Sequence, residues 1–298
     1  MKKVRQMKLT KILLIGAAAV ALAAGIAAGI SAIVCRKALT VREYDVPIEG
    51  VSQPFTAVCI TDLHSREFGR DNEKLLAEIR ARQPDVIFTL GDLISRNADD
   101  EDVAQMCVFL RALREIAPVF SSLGNHEEDY MKLTGKDLRP LIQDAGATLL
   151  DEQGGVALIA GNRICLGGTL GHLFPDGRSR EEYLQSPEYL LMTQMQASGL
   201  PAIVLSHRPD TIIFEKAYED WDVDLFLSGH THGGVIRLPL IGGMYAPRQG
   251  FFPKYDKGMF QLEKVRLIIS SGFAGYGWIP RIFNRPEITV LRIMPAES

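Results

Sequence analysis

The chain has 298 residues, long enough to bury one large hydrophobic core or two smaller ones. Its 33 basic and 36 acidic residues leave a formal charge of −3, so there is no overall basic footprint and no nucleic acid partner is expected. Four cysteines, Cys35, Cys59, Cys107 and Cys165, show no CxxC spacing and are too sparse for a disulfide scaffold.

The N-terminus carries the first strong signal. "MKKVRQMKLTK" holds five positive residues and no acid, and Ile12 to Cys35 then runs for 24 residues without a charge. As a helix that run would be about 36 Å long, enough to cross a bilayer core of roughly 30 Å. Residues 1–11 therefore read as a cytoplasmic basic tail and 12–35 as a single-pass transmembrane signal anchor. Because the basic end stays in the cytoplasm, everything beyond is expected outside it. The competing expectation is export after signal cleavage, for which Ala21-Leu22-Ala23 offers a small-residue site. Residues 36–53 read as a tether.

Beyond the tether, strands and helices alternate. "FTAVCITDLH" predicts a strand ending in polar residues; "NEKLLAEIRARQ" predicts a helix with Leu75, Leu76 and Ile79 on its apolar face and Asp71 or Asn72 as its cap. "PDVIFTLGD" is the next strand, and its apolar run stops at Gly91-Asp92. Residues 100–115 predict a helix that buries Cys107, "PVFSSLGNHE" a strand and terminal loop, and "LRPLIQDAG" a short helix. After a strand-rich middle, "YLLMTQMQASGL" is helical, "PAIVLSH" extended, "DLFLSGHTH" extended then turned, and "VRLIISSG" and "ITVLRI" extended. This order is that of an α/β protein with a strand-rich second half. Pro239 to Gly258, rich in glycine, proline and aromatics, reads as a long loop that either lines a pocket or packs as a structural excursion.

The polar residues that end these strands form a series: Asp62, His64, Asp92, Asn125, His126, His207, His230 and His232. Five of the six histidines stand at predicted strand ends, and His172 is outside the set. A lone histidine in a loop more often hydrogen-bonds than binds metal, but strand ends of an open α/β sheet converge on one crevice. Carboxylate, imidazole and amide oxygen together suit Mn, Fe or Zn. Arg66, Arg96 and Arg208 are candidate anion contacts, with Arg208 best placed beside His207; Glu127 and Glu128 either orient His126 or a metal-bound water or face solvent.

Asp62-Leu63-His64, Gly91-Asp92, Gly124-Asn125-His126-Glu127, His207 and Gly229-His230-Thr231-His232, in this order, carry a resemblance. Over nearly all of residues 55 to 298 the sequence resembles the calcineurin-like metallophosphoesterases. Through "GHTHGG" and the terminal "SSGF…NRPEITVLRI" it is most similar to their membrane-associated or exported bacterial phosphodiesterase branch. Val235 stands where that branch often has glutamine. The resemblance implies a four-layer α-β-β-α metallophosphoesterase sandwich over 54–298, behind the N-terminal transmembrane helix.

It also implies two metal ions, Mn, Fe or Zn. Asp62, His64, Asp92 and His232 would hold one and Asp92, Asn125, His207 and His230 the other, with Asp92 and a hydroxide bridging them. His126 is then a catalytic helper that orients a phosphate oxygen or protonates the leaving group. Two cations about 3.5–4 Å apart offset the charge that repels hydroxide from a phosphorus ester. Gly229, Gly233 and Gly234 are expected to let the chain turn around the metals, and extended alternation to set His230 and His232 on one side.

The expected function is a phosphodiesterase tethered to the bacterial cell membrane, with its catalytic domain outside the cytoplasm. A narrower alternative is hydrolysis of a lipid-linked pyrophosphate or another envelope-derived phosphoester. A non-catalytic, metal-containing envelope-binding protein is the alternative from a different class.

Overall fold

The computed structural model describes residues 2–171, 180–214, 217–219 and 221–296, so His172 lies outside the described residues. The chain opens with α1 (Lys2–Val34), which takes the basic tail and the apolar run into one helix. Within it Leu13–Val34 has the length and hydropathy to cross a membrane, and none of that window is buried against the protein.

Next come β1 (Thr40–Ile48), β2 (Phe55–Ile60), α2 (Glu73–Ala81), β3 (Val86–Leu90), α3 (Asp100–Arg114), β4 (Val119–Ser122), α4 (Asn125–Thr134), α5 (Arg139–Asp144) and β5 (Thr148–Leu149). The second half runs β6 (Gln153–Ile159), β7 (Asn162–Thr169), α6 (Arg180–Leu184), α7 (Pro187–Ala197), β8 (Ala202–Ser206), α8 (Asp210–Phe214) and β9 (Leu225–Ser228). Two ribbons follow, β10 (Arg237–Leu238) with β11 (Gly242–Gly243) and β12 (Tyr245–Ala246) with β13 (Gly250–Phe251). The chain closes with β14 (Gly258–Leu262), β15 (Val265–Ile269) and β16 (Glu287–Pro295). Among the described residues these strands build two six-stranded sheets, ordered β1-β16-β2-β3-β4-β5 and β14-β15-β9-β8-β7-β6.

Side-chain alternation along the strands sorts the layers. On β2, Phe55, Ala57 and Cys59 point between the sheets, where they share a core with Phe88, Ile203 and Leu227. Val58 and Ile60 point the other way, into a second core with Leu75 and Ile79 of α2 and Leu110 of α3. The second sheet does the same with Val204, Phe226 and Leu267 against Leu191, Met192 and Met195 of α7. The result is the expected four-layer α-β-β-α sandwich. All four cysteines are free and buried.

Three local readings change. Residues 36–53 are not a free tether, because Thr40–Ile48 pairs in parallel with the whole of β16 as an edge strand. Arg42, Glu43 and Asp45 are exposed while Val46 and Ile48 enter the inter-sheet core, as on a partly buried edge strand. Neither Asp71 nor Asn72 caps α2: both take left-handed backbone, and Asn72 Oδ1 accepts from the Phe68 N–H at 2.9 Å instead. Finally, the chain after β4 does not stay a loop but enters α4 at Asn125.

Candidate metal centre

Asp62 and His64 follow β2, Asp92 follows β3, Asn125 and His126 open α4 after β4, His207 follows β8, and His230 and His232 follow β9. These are carboxyl ends of parallel neighbours in both sheets, so the crevice expected from strand order forms where the sheets face each other. Asp62, His64 and His232 bring ligand atoms within 4.8 Å of one another, as do Asp92, His207 and His230, and His64, Asp92 and His126. Asp92 links the groups: its Oδ2 lies 3.2 Å from His207 Nε2, 3.6 Å from His64 Nε2 and 4.0 Å from His126 Nε2. Asn125 is buried and lines the same hollow as Asp92 and His230.

Hydrogen bonds fix what two of the rings offer. His207 Nδ1 lies 2.7 Å from the Leu90 carbonyl, so Nδ1 carries the proton and donates. In the neutral ring, Nε2 then turns a lone pair toward Asp92. His126 is the reverse: its Nδ1 accepts from the Arg96 N–H at 3.0 Å, which places the proton on Nε2 as a donor facing the cleft. The same contact group therefore contains one ring suited to ligate and one suited to donate. The carboxylates are equally fixed, since Asp62 Oδ2 accepts from the His230 N–H and Thr61 Oγ1 at 3.0 Å and Asp92 Oδ1 from the His126 N–H at 2.8 Å.

Burial governs the electrostatics. It lowers His64 to about 4 and pushes His230 and His232 well below the ordinary imidazole range, so these rings are neutral. It raises Asp62 to about 7. Burial also opposes charge on Asp92 and His207, but here the pair outweighs it: Asp92 sits well below the usual carboxylate range, and His207 is raised to about 9. A cation held by Asp92 would take over the role of that imidazolium proton. His64 Nε2 and His232 Nδ1 are buried without a hydrogen-bond partner. Neutral rings, two carboxylates and these orphaned nitrogens fit an N/O-ligated Mn, Fe or Zn centre.

The backbone is strained to make this set. Asp62, His64, Asp92, His230 and His232 have φ of 52, 49, 53, 68 and 49°, a region that costs a non-glycine residue on the order of 1–3 kcal/mol. His230 and His232 are thus not alternate residues of an extended segment: left-handed turns on either side of Thr231 send one ring to Asp92 and His207 and the other to Asp62 and His64. Gly229 is required by space, since a Cβ there would lie 2.1 Å from Thr61 Oγ1 and 2.5 Å from Asp62 Oδ2. Val235 is buried, also at positive φ, and its carbonyl accepts from Asn284 Nδ2.

Arg208 lies in the site, with Nε 3.4 Å from Asn125 Oδ1. Arg66 lines the cavity that holds His64, His126 and His232, and its guanidinium donates to the carbonyls of Phe273 and Arg36. Arg96 is paired with Asp129 at 3.3 Å, and Glu128 with Lys132 at 3.1 Å. Glu127 is buried, and its carboxylate accepts from the N–H groups of Asp92, Leu93, Ile94 and Gly124.

Three residues went unnoticed in the sequence. Asp210 is buried 4.0 Å from His230 Nε2, and burial raises it to about 6 against the opposing pull of Arg248 and Arg208. Arg248 and Tyr276 line the hollow of about 260 Å³ that holds Asp92, His126 and His230. The only signals were a carboxylate three residues after His207 and an arginine in the Pro239–Gly258 segment.

A metallophosphoesterase-type α-β-β-α sandwich with a candidate metal centre is the class of protein that this fold and this site define. More narrowly, the chain belongs to the calcineurin-like phosphoesterase family, whose family model matches residues 55–234. It is 30% identical to the uncharacterised metallophosphoesterase Cj0846 of Campylobacter jejuni, over 85% of this chain but only 63% of that protein, so it spans less than two thirds of that relative's length. It is 28% identical to the phosphodiesterase YaeI of Escherichia coli, over 81% of this chain and 83% of the other. It is 25% identical to the UDP-2,3-diacylglucosamine pyrophosphatase LpxG of Chlamydia muridarum, over 80% and 83%.

Proposed function

We propose that this protein is a membrane-tethered, two-metal phosphodiesterase whose catalytic domain stands outside the cytoplasm. The observation that carries the reading is the set of ligand clusters joined through Asp92, with the His126 Nε2–H turned toward it. Asp62, His64, Asp92 and His232 hold one ion, and Asp92, Asn125, His207 and His230 the other. When bound, Mn, Fe or Zn ions supply Lewis acidity that offsets phosphate charge and acidifies a water.

The chain's own residues do the rest. The Arg208 guanidinium, beside Asn125, binds a phosphate oxygen. His126, neutral because its Nδ1 accepts from the Arg96 N–H, donates a hydrogen bond from Nε2–H to the oxygen that departs: water oxygen bonds to phosphorus, the P–O ester bond breaks, and the proton the water gives up ends on the leaving oxygen. The Arg96 N–H, held on Nδ1, keeps that ring in the donating tautomer. The phosphodiesterase activity named for the Escherichia coli relative supports a diester over a monoester. The apolar length of Leu13–Val34 supports the tether; export after signal cleavage is the second reading of the same segment.

The test is metal content and turnover in parallel. Asp92→Asn is expected to lose both ions, whereas His126→Ala keeps them and loses about 10²–10⁴-fold in kcat on a diester. Equal loss of metal in both variants would make His126 a ligand. No hydrolysis of mono- or diesters by the folded, metal-loaded full chain would remove the enzyme reading.

A further inference from the structure

We propose that the substrate is an amphiphile lying in the same membrane as α1: a phosphodiester whose head reaches the histidines while its apolar chain stays among the lipids. This rests on the phosphodiesterase reading and names its substrate class. The helix does not hang free of the domain. Near its end Ser31 Oγ accepts from the Phe283 N–H at 2.7 Å, Arg66 donates to the Arg36 carbonyl at 3.1 Å, and Cys35 is buried.

That docking makes the foot of α1 one wall of the catalytic cleft. A single cavity of about 800 Å³ runs from Ala32, Cys35 and Arg36 to His64, His126 and His232. The facing wall is the segment from Ala274 to Arg281, fixed from beneath by the buried Arg281 guanidinium, which donates to the carbonyls of Ser271, Ala274 and Asn284. On this wall Trp278 is 91% exposed. A large apolar ring with one polar N–H, held beside the end of an apolar span, suits the membrane interface better than water.

More apolar surface is tied to the same place. Ile236 bridges to Ile282, and the Arg237 N–H donates to the Ile282 carbonyl, which anchors the β10–β11 ribbon next to Phe283. The tip of that ribbon presents Leu240 and Ile241 to solvent. Tyr245 packs against both Tyr276 and Phe251 at 5.7 Å, which places the exposed Phe251 and Phe252 beside the cleft wall. These exposed apolar side chains come from separate loops: the β10–β11 tip is tied through Ile282 to Phe283, which bonds Ser31, and Phe251 is tied through Tyr245 and Tyr276 to the wall that faces Ala32. A bilayer surface is the one occupant that covers them and the apolar helix together. The cleft then opens at the lipid head groups, and Arg36 on its rim attracts an anionic head.

The test uses the full chain in nanodiscs of phosphatidylcholine and phosphatidylglycerol, loaded with Mn. Two probes share one leaving group: methyl p-nitrophenyl phosphate in solution and hexadecyl p-nitrophenyl phosphate in the disc. The hexadecyl probe is expected to show at least about 10-fold higher kcat/KM, and Trp278→Ser or Ala32→Phe to lower the ratio of hexadecyl to methyl turnover by about 10-fold. Equal kcat/KM for the two probes, or a ratio unmoved by both variants, would overturn the proposal. Hydrolysis of neither probe would instead overturn the phosphodiesterase reading. A second measurement stands apart from activity: brominated acyl chains should quench Trp278, and Trp278→Phe, which leaves only the buried Trp221, should abolish that quenching. An unquenched Trp278 removes the cleft from the membrane surface.

Discussion

Four backbone amides converge on the Glu127 carboxylate, those of Asp92 and Gly124 on one oxygen and those of Leu93 and Ile94 on the other. The acid thereby clips the left-handed turn at Asp92 to the start of α4, and so sets where the linking carboxylate and His126 stand. Glu127→Gln keeps the shape but turns an NH₂ toward two donors, leaving them unpaired at a cost of about 2–4 kcal/mol. Urea unfolding should report that loss, and metal analysis a lower content; unchanged stability would show that the clip contributes nothing. The sequence made the presumed ligands legible because carboxylate and imidazole are rare at strand ends in series. Asp210 was not legible and the role of Glu127 was left open, since a lone acid in a polar loop looks the same whether it faces solvent or is buried against amides.

At the level of elements, the long apolar strands and the periodic helices α2, α3 and α7 were readable because one face of each is buried. The β10–β13 ribbons were not, being two-residue pairings set by contacts with distant segments rather than by local pattern. Nor was β1, whose partner is β16 at the other end of the chain. The junction between β5 and α7 gives a prediction of its own. Burial raises Glu152 to about 7, and nearby Glu188 adds to it. A carboxyl whose folded pKa is raised is neutral in both states at low pH, and it costs stability as pH climbs from the ordinary glutamate range through 7. Glu152→Gln should therefore raise Tm by about 2 °C at pH 8, a figure kept small for partial exposure, and change nothing at pH 4. An equal shift at both pH values would point to packing instead of charge.

For the molecule as a whole, β1 decides what the domain can lose. Val46 and Ile48 are fully buried between the sheets, and removing them forfeits about 1.5–3 kcal/mol each. It also bares the β16 edge to other chains. A protein beginning at residue 38 should unfold near the temperature of the full chain and stay monodisperse, whereas one beginning at residue 50 should melt earlier and aggregate. Matching melting curves would mean that β1 is dispensable. The same edge strand would survive signal cleavage near residue 23, so an exported form would keep both sheets whole.

Only residues 35–39 join α1 to β1, a span of at most about 17 Å when fully drawn out. With α1 set across a bilayer, so short a leash would let the domain graze one leaflet and reach nothing beyond it. Its turnover should follow the mole fraction of substrate in that leaflet, and adding inert lipid should slow it even when the total amount of substrate in the sample is unchanged.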